Sequence, residues 1–322
     1  MTTRIATHSG SFHADDVFGV TVLTALHPDH EIIRSRDAAV IAGADFLVDV
    51  GGEWDPARGR FDHHQRGFDG ARPDGGEGYA SAGLVWRAVG AAYVHQVARQ
   101  LGQVLTEEAA QRIVGDIDAS LVRYLDMVDT GAGMVAPGAF GLSSHVAALN
   151  STWLEEQSLD IAGRSALQLE RFREAMAIVQ RYLHRLVLRR IGQDLAAAKV
   201  RSSERLLGGK VLYLRDGGMP WTGIVVQEMP EVLLVLYPEF DEAGQRHVLR
   251  TVPKDPGSFA NRMDLPQEWA GLRDQQLAGV CGVADAAFCH TNLFIAVARS
   301  FEGALRMAEL ALQGETSEPT GT

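Results

Sequence analysis

An α/β fold in two domains is what this sequence predicts, and three observations carry the prediction. Near the start of the chain, short apolar runs end in loops rich in Asp, His and Gly and alternate with helical stretches. That is the pattern of a mainly parallel sheet flanked by helices. Between residues 162 and 190, Phe172, Ala175, Met176, Val179, Leu183, Leu186 and Val187 fall at helical spacing, which makes a long connecting helix. After residue 200, short β-rich runs and a closing helix read as a smaller α/β domain. The expected division is 1–150 for the first domain, 151–200 for the helical connection, 201–312 for the second domain and 313–322 for a disordered tail. A length of 322 residues fits two domains.

Composition narrows the class. Hydrophobic content of 46% and charged content of 22% are those of a soluble globular protein. No apolar run approaches the roughly 20 residues of a membrane span, and the first residues hold no apolar signal core. Cys281 and Cys289 are the only cysteines, so neither a disulfide framework nor a Cys-rich zinc site is available, and a reducing cytoplasm is expected. A net charge of -11 argues against a broad electrostatic grip on duplex nucleic acid. It leaves room for a short anionic substrate, because bound metal supplies local positive charge.

In chain order, Arg4 to His8 reads as a strand, His8 to Asp16 as a polar loop and Val17 to Leu26 as a helix. The loop holds His8, His13, Asp15 and Asp16 at a strand's end, where open α/β sheets place ligands; one of the carboxylates is expected to cap the helix. Phe46 to Val50 is a buried strand tipped by Asp49 and two glycines. Asp62-His63-His64 follows in another Gly-rich setting, and by itself fits a solvated surface loop as well as a site. Residues 69–78 have the composition of a mobile loop. Helices are expected over Ser81 to Leu101 and Glu107 to Val128, with a loop over 131–141. Asp126 and Asp129 oppose the dipole at the second helix's C-terminus, a conflict a nearby cation would remove. The second domain should hold strands at Lys210 to Leu214, Gly223 to Val226, Val232 to Tyr237, His247 to Val252 and Ala286 to His290. A polar turn is expected over Glu239 to Gln245 and a helix over Phe301 to Leu312.

The candidates form one set: His8, His13, Asp15, Asp49, Asp62, His63, His64 and Asp129. Separate segments, most of them at strand ends, would supply the mixed carboxylate and imidazole ligands of two divalent ions. Mn²⁺ suits such ligands well, with Mg²⁺, Co²⁺ or Zn²⁺ as alternatives. A pair of ions about 3.5–4 Å apart activates water and stabilises charge on a phosphoryl group.

The chain resembles the MYG exonuclease family of the DHH phosphoesterase superfamily. The resemblance rests on residues 7–16 (THSGSFHADD), 48–52 (VDVGG), 62–68 (DHHQRGF), 81–85 (SAGLV), 149–153 (LNSTW), 219–221 (MPW) and 302–305 (EGAL), nearly the full length. It implies a two-domain phosphoesterase with a DHH-type first domain holding a Mn²⁺-type centre. Metal ligands would be His13, Asp15, Asp49, His63 and Asp129, with His8 as a further ligand or near neighbour. Asp62 would be a second ligand or the group that orients a histidine, and Asp126 is the alternative to Asp129. His64 would face the scissile phosphate or the second metal, so His64 and Asp62 carry the catalytic expectation. Gln65 and Arg66 would lie on the substrate side.

In the second domain, the family's Phe-x-His followed by Gly-Gly and a basic residue corresponds to residues 288–299. Phe288, His290 and Arg299 fit, with His290 and Arg299 holding a trailing phosphate, but Ala296-Val297 stand where glycines are expected. The implied activity is 3′-to-5′ exonuclease on short single-stranded RNA. The alternatives are hydrolysis of a small phosphoanhydride or dinucleotide, and a metal-stabilised binding module without turnover. No membrane partner is expected, and a homodimer is left open.

Overall fold

A computed structural model describes residues 2–133, 141–241, 244–258 and 260–315. The chain is mixed α/β with two sheets and forms two compact units, Met1–Ile191 and Gly192–Thr322.

The first unit opens with β1 (Thr3–Thr7), α1 (Ala14–Leu26), β2 (His30–Arg34), α2 (Ala38–Ile41), β3 (Phe46–Val48), β4 (Trp54–Asp55) and β5 (Arg60–Phe61). Its sheet has the order β2-β1-β3-β5-β4, parallel throughout except where β4 runs antiparallel to β5. Helices follow: α3 (Ser81–Gln100), α4 (Glu107–Ile117), α5 (Arg123–Asp129), α6 (Leu142–Ala147), α7 (Trp153–Glu156) and the long α8 (Ile161–Arg201). Phe172, Val179, Leu183, Val187 and Ile191 of α8 share one apolar core with α1 and α3, so the helix is part of this unit up to Ile191. Each such side chain contributes about 1.5–3 kcal/mol by burial.

Three expectations change here. Helix α1 starts at Ala14 rather than Val17, because Asp16 Oδ1 accepts the His13 N–H at 2.8 Å and closes the first turn. The helix expected over Glu107 to Val128 is split by a π-helical turn, Asp118–Val122, a feature hydrophobic periodicity does not reveal. Residues 69–78 are tied down: Ala71 and Gly78 bridge as a β-pair, Arg72 is buried, and Asp74 pairs with Arg123 at 2.5 Å. Of the loop expected over 131–141, residues 134–140 lie outside the described residues.

The second unit contains β6 (Glu204–Leu206), β7 (Val211–Tyr213), α9 (Thr222–Glu228), β8 (Leu234–Asp241), β9 (Gly244–Thr251), α10 (Asp274–Cys281), β10 (Ala286–Cys289), β11 (Ile295–Ala298) and α11 (Phe301–Glu315). The sheet order is β10-β11-β9-β8-β7-β6, antiparallel but for β7 and β8. The strand expected at Gly223 to Val226 is instead helix α9, whose Val225 N–H bonds the Trp221 carbonyl at 3.0 Å. An apolar run that short does not distinguish strand from buried helix by period. The polar turn expected over Glu239 to Gln245 is mostly ladder, with Glu239 opposite Arg246 and Phe240 opposite Gln245. Helix α11 continues to Glu315, past the expected start of a disordered tail at 313; residues 316–322 lie outside the described residues. Among the described residues no helix is long and apolar enough to cross a membrane.

Candidate metal centre

The parallel sheet decides where the chemistry goes. Strands β1, β3 and β5 are neighbours with the same direction, so their C-terminal ends lie side by side. His8 follows β1, Asp49 follows β3, and Asp62-His63-His64 follows β5. The N-terminus of α1 adds His13, Asp15 and Asp16, and the last residue of α5 is Asp129.

Asp49 is the hub. Its Oδ2 lies 3.4 Å from His8 Nε2, and its Oδ1 lies 3.4 Å from His63 Nε2 and 3.2 Å from His64 Nδ1. Its φ of +56° is in the left-handed region, which Asp tolerates better than most side chains. Gly51 and Gly52, also left-handed, complete the turn, and the Gly52 N–H donates to Asp62 Oδ2 at 2.6 Å. His63 Nε2 reaches Asp129 Oδ2 at 3.2 Å, while His13 Nδ1 stands 4.0 Å from Asp129 Oδ1.

Three groups have ligand atoms within 4.8 Å of one another: His8, His13 and Asp49; Asp49, His63 and His64; and Asp15, His63 and Asp129. Asp49 and His63 each belong to two of them, which links the groups into one cluster. The Nε2 atoms of His8 and His63 and the Oδ2 of Asp16 are buried without a hydrogen-bond partner, although carboxylates stand within 3.4 Å. Imidazole nitrogens and carboxylate oxygens aimed at shared space fit a hard-to-borderline divalent cation.

The electrostatics agree. Burial would lower the His63 pKa, but the carboxylates of Asp129, Asp49 and Asp15 outweigh it and push it up to about 10. Burial would raise Asp49, yet the His63 and His8 imidazoles 3.4 Å away hold it below the carboxylate range. Burial, together with the charges of Asp49, Asp129 and Asp126, pushes Asp15 well above that range. Burial lifts Asp16 to about 6 against the pull of His8. In this cluster protons do what a bound cation would do.

Asp62 lies in none of the three groups. Its Oδ1 accepts the His64 backbone N–H at 3.1 Å and pairs with His64 Nδ1 at 2.8 Å, so it acts as the group that orients a histidine. Asp15 has both oxygens on backbone N–H groups, Ser81 at 3.1 Å and Ala82 at 2.6 Å, and keeps lone pairs for a cation. Asp126, the alternative to Asp129, is buried and bonded to Arg72 instead.

A cleft of about 370 Å³ opens over the cluster, lined by His8, His13, Asp49, His64, Asp129 and Arg36. Arg36 was not anticipated, because β2 leading to it has only an Ile-Ile pair among charged residues. Asp16 stands outside the predicted ligand set, yet its Oδ2 lies 3.3 Å from His8 Nε2. On the other side, His63, His64 and Asp129 also line a cleft of about 750 Å³ with Gln65, Phe68 and Tyr79. Gln65 Oε1 is buried there without a partner, and Arg66 is exposed outside it.

In the second unit, Arg299 and Phe288 line a groove of about 570 Å³ with Arg246 and Arg273. Arg299 pairs with Asp274 at 2.5 Å. His290 is not among the groove's lining residues; its ring rests 4.5 Å from that of Phe294 and its Nδ1 accepts the Asn292 N–H. Ala296 and Val297 are interior residues of β11, between β10 and β9, with opposite faces in two different cores. The ladders on both sides use the strand's backbone groups, so this stretch is not a cradle of free amides.

The family model described as "Uncharacterised protein family (UPF0160)", the MYG1 exonuclease model, matches residues 4–312. The MYG1 exonuclease of Homo sapiens is 34% identical over 96% of this chain and 85% of its own length. A MYG1 protein of Schizosaccharomyces pombe is 32% identical over 96% of this chain and 97% of its own. Among solved structures, a pGpG-specific phosphodiesterase from Vibrio aligns over 98% of this chain and all of that one at 12% identity, with a TM-score of 0.29, too low for an inference. On the family match and the identity to full-length relatives, this chain belongs to the MYG1 exonuclease family.

Proposed function

We propose that this chain is a divalent-metal-dependent phosphodiesterase that removes nucleotides from the 3′ end of short single-stranded RNA. One observation carries the reading: seven side chains from three parallel strand tips and two helix ends form linked ligand groups, with unpartnered buried Nε2 atoms facing Asp49. Membership of a family with a named exonuclease supports phosphoester chemistry.

His8, His13, Asp15, Asp49, His63 and Asp129 would hold the ions, with Mn²⁺ the best match to the donors and two ions the number the shared ligands suit. Bound there, such ions supply Lewis-acid charge for a phosphoryl oxygen and lower the pKa of water. Asp62 holds the His64 ring, and with Nδ1–H donated to Asp62 the Nε2 is presented toward solvent at the cleft. From there His64 moves a proton to or from the reacting oxygens. Arg36, with Nε on the Ser9 carbonyl at 3.3 Å, offers a cation to the non-reacting phosphate. In the second unit Arg299 would grip a trailing phosphate.

The test incubates protein and Mn²⁺ with 5′-labelled RNA ranging from dinucleotides to about twenty-mers. A ladder shortening from the 3′ end is expected, and His63→Ala combined with His64→Ala should abolish it while circular dichroism stays native. Cleavage of dinucleotides alone would favour hydrolysis of small substrates, a reading the net charge of -11 favours. Binding without cleavage would leave a metal-stabilised module.

A further inference from the structure

Helix α3 (Ser81–Gln100) has Ala80 at its N-cap, a residue with no side chain able to cap it. Its leading N–H groups are taken by carboxylates from two other helices. Asp15 of α1 accepts from Ser81 and Ala82, and Asp126 of α5 accepts from Gly83 at 3.0 Å. A helix N-terminus carries partial positive charge, so it stabilises two acids that otherwise repel each other.

Asp126 is fixed on its other side as well. Its Oδ2 accepts from Arg72 Nη2 at 2.6 Å, and the same Nη2 lies 3.3 Å from Asp118. The guanidinium sits 4.3 Å from the Tyr79 ring centre. The approach to α3 is close: a Cβ on Gly83 would fall 2.1 Å from Asp126 Oδ2. Asp126 lies in none of the groups able to hold a metal, yet Asp129, three residues later on α5, does.

We propose that Asp126 is a positioning residue of the metal centre, with Arg72 as its charge partner. By tying α5 to the α3 N-terminus, it sets where Asp129 presents its carboxylate beside His63 and Asp15. Asp15 is held on the same helix end, so the spacing of two ligands in one group is set by one element. This rests on the reading of Asp15, His63 and Asp129 as a metal group.

The test measures Mn²⁺ affinity and the Mn²⁺ electron paramagnetic resonance spectrum for the full chain, with thermal unfolding run alongside. Asp126→Ala and Arg72→Met should each weaken Mn²⁺ binding about 10–100-fold, the usual cost of losing a group that orients a ligand, and alter the spectrum. The pair Arg72→Met plus Asp126→Asn removes both charges of the Arg72–Asp126 pair and keeps an acceptor for the Gly83 N–H, so it should recover most of the affinity. It also serves where a single variant fails to fold. If the double variant instead binds as weakly as Asp126→Ala while folded, Asp126 is itself a ligand and the proposal is wrong. If the folded single variants bind Mn²⁺ normally while Asp129→Asn does not, the metal reading stands and only this inference is overturned. If the wild type binds no Mn²⁺, both readings fall together.

Discussion

At the scale of single residues, the account turns on Asp49 and His63, which belong to two ligand groups each. Without metal, His63 carries a proton up to a pKa of about 10, raised by Asp129 and Asp49 against the effect of burial. A metal needs the neutral imidazole, so loading displaces that proton at any pH below about 10. The sign follows: lowering the pH weakens metal binding, by up to about tenfold per unit for each proton released. Titration calorimetry with Mn²⁺ between about pH 6 and 8, in buffers of different ionisation enthalpy, checks this. Proton release and an affinity that falls toward acid are expected; a pH-independent affinity would contradict the role of His63. Much of this residue set was legible in the sequence, because His8 and Asp49 stand at the ends of apolar runs and Asp62-His63-His64 packs three possible ligands in a row. Arg72 and Arg36 were not, since their partners are remote in sequence: Arg72 meets Asp126 54 positions away. Nor could spacing alone separate Asp126 from Asp129, two acids on one helical turn that meet different neighbours.

At the scale of elements, the site is a product of topology. β1, β3 and β5 are adjacent and parallel, so residues far apart in sequence reach one edge. β5 has only two residues, Arg60–Phe61, too short to show as a strand in the sequence, whereas β3 shows as an apolar run ending in Asp49. The stretch Gly223 to Val226 differs for a related reason: an apolar run that short fits a strand and a buried helical turn equally well. Helix α3 does two jobs, packing its Leu84, Val85 and Trp86 into the core and offering its N-terminus to Asp15 and Asp126. Gly83 is where the two meet. Gly83→Ala places a methyl against Asp126 and Tyr79 with no flexible end to move, and should cost about 1–3 kcal/mol. Urea unfolding measures it; an unchanged or raised stability would show that the α3–α5 approach is looser than the geometry indicates. A second element-scale expectation concerns the loop after β1. Asn150 clasps Phe12 from both sides, accepting its N–H and donating to its carbonyl at 2.9 Å each. Asn150→Ala should weaken Mn²⁺ binding several-fold through His13, the next residue, as read by the same calorimetry.

At the scale of the whole molecule, an acidic chain that acted on an anionic substrate would need positive charge concentrated at the site. The net charge of -11 offers no general attraction to nucleic acid, so affinity should gain little from added length. kcat/KM is expected to level off beyond a few nucleotides; a steep, salt-sensitive rise with length would point to an extended basic track that the composition does not provide. The two sheets and their order were only partly readable, because pairings such as β7 beside β8 depend on which strands meet in space rather than on local pattern. The claim on which everything else rests concerns the first unit: that its linked His and Asp groups hold divalent metal. The most direct measurement is the metal content of the purified chain after Mn²⁺ reconstitution and desalting, wild type beside Asp49→Asn. Asparagine keeps the left-handed backbone accessible while removing the shared charge. About two Mn²⁺ per chain in the wild type and a marked loss in the variant are the predicted result; a wild-type chain that retains none would contradict it.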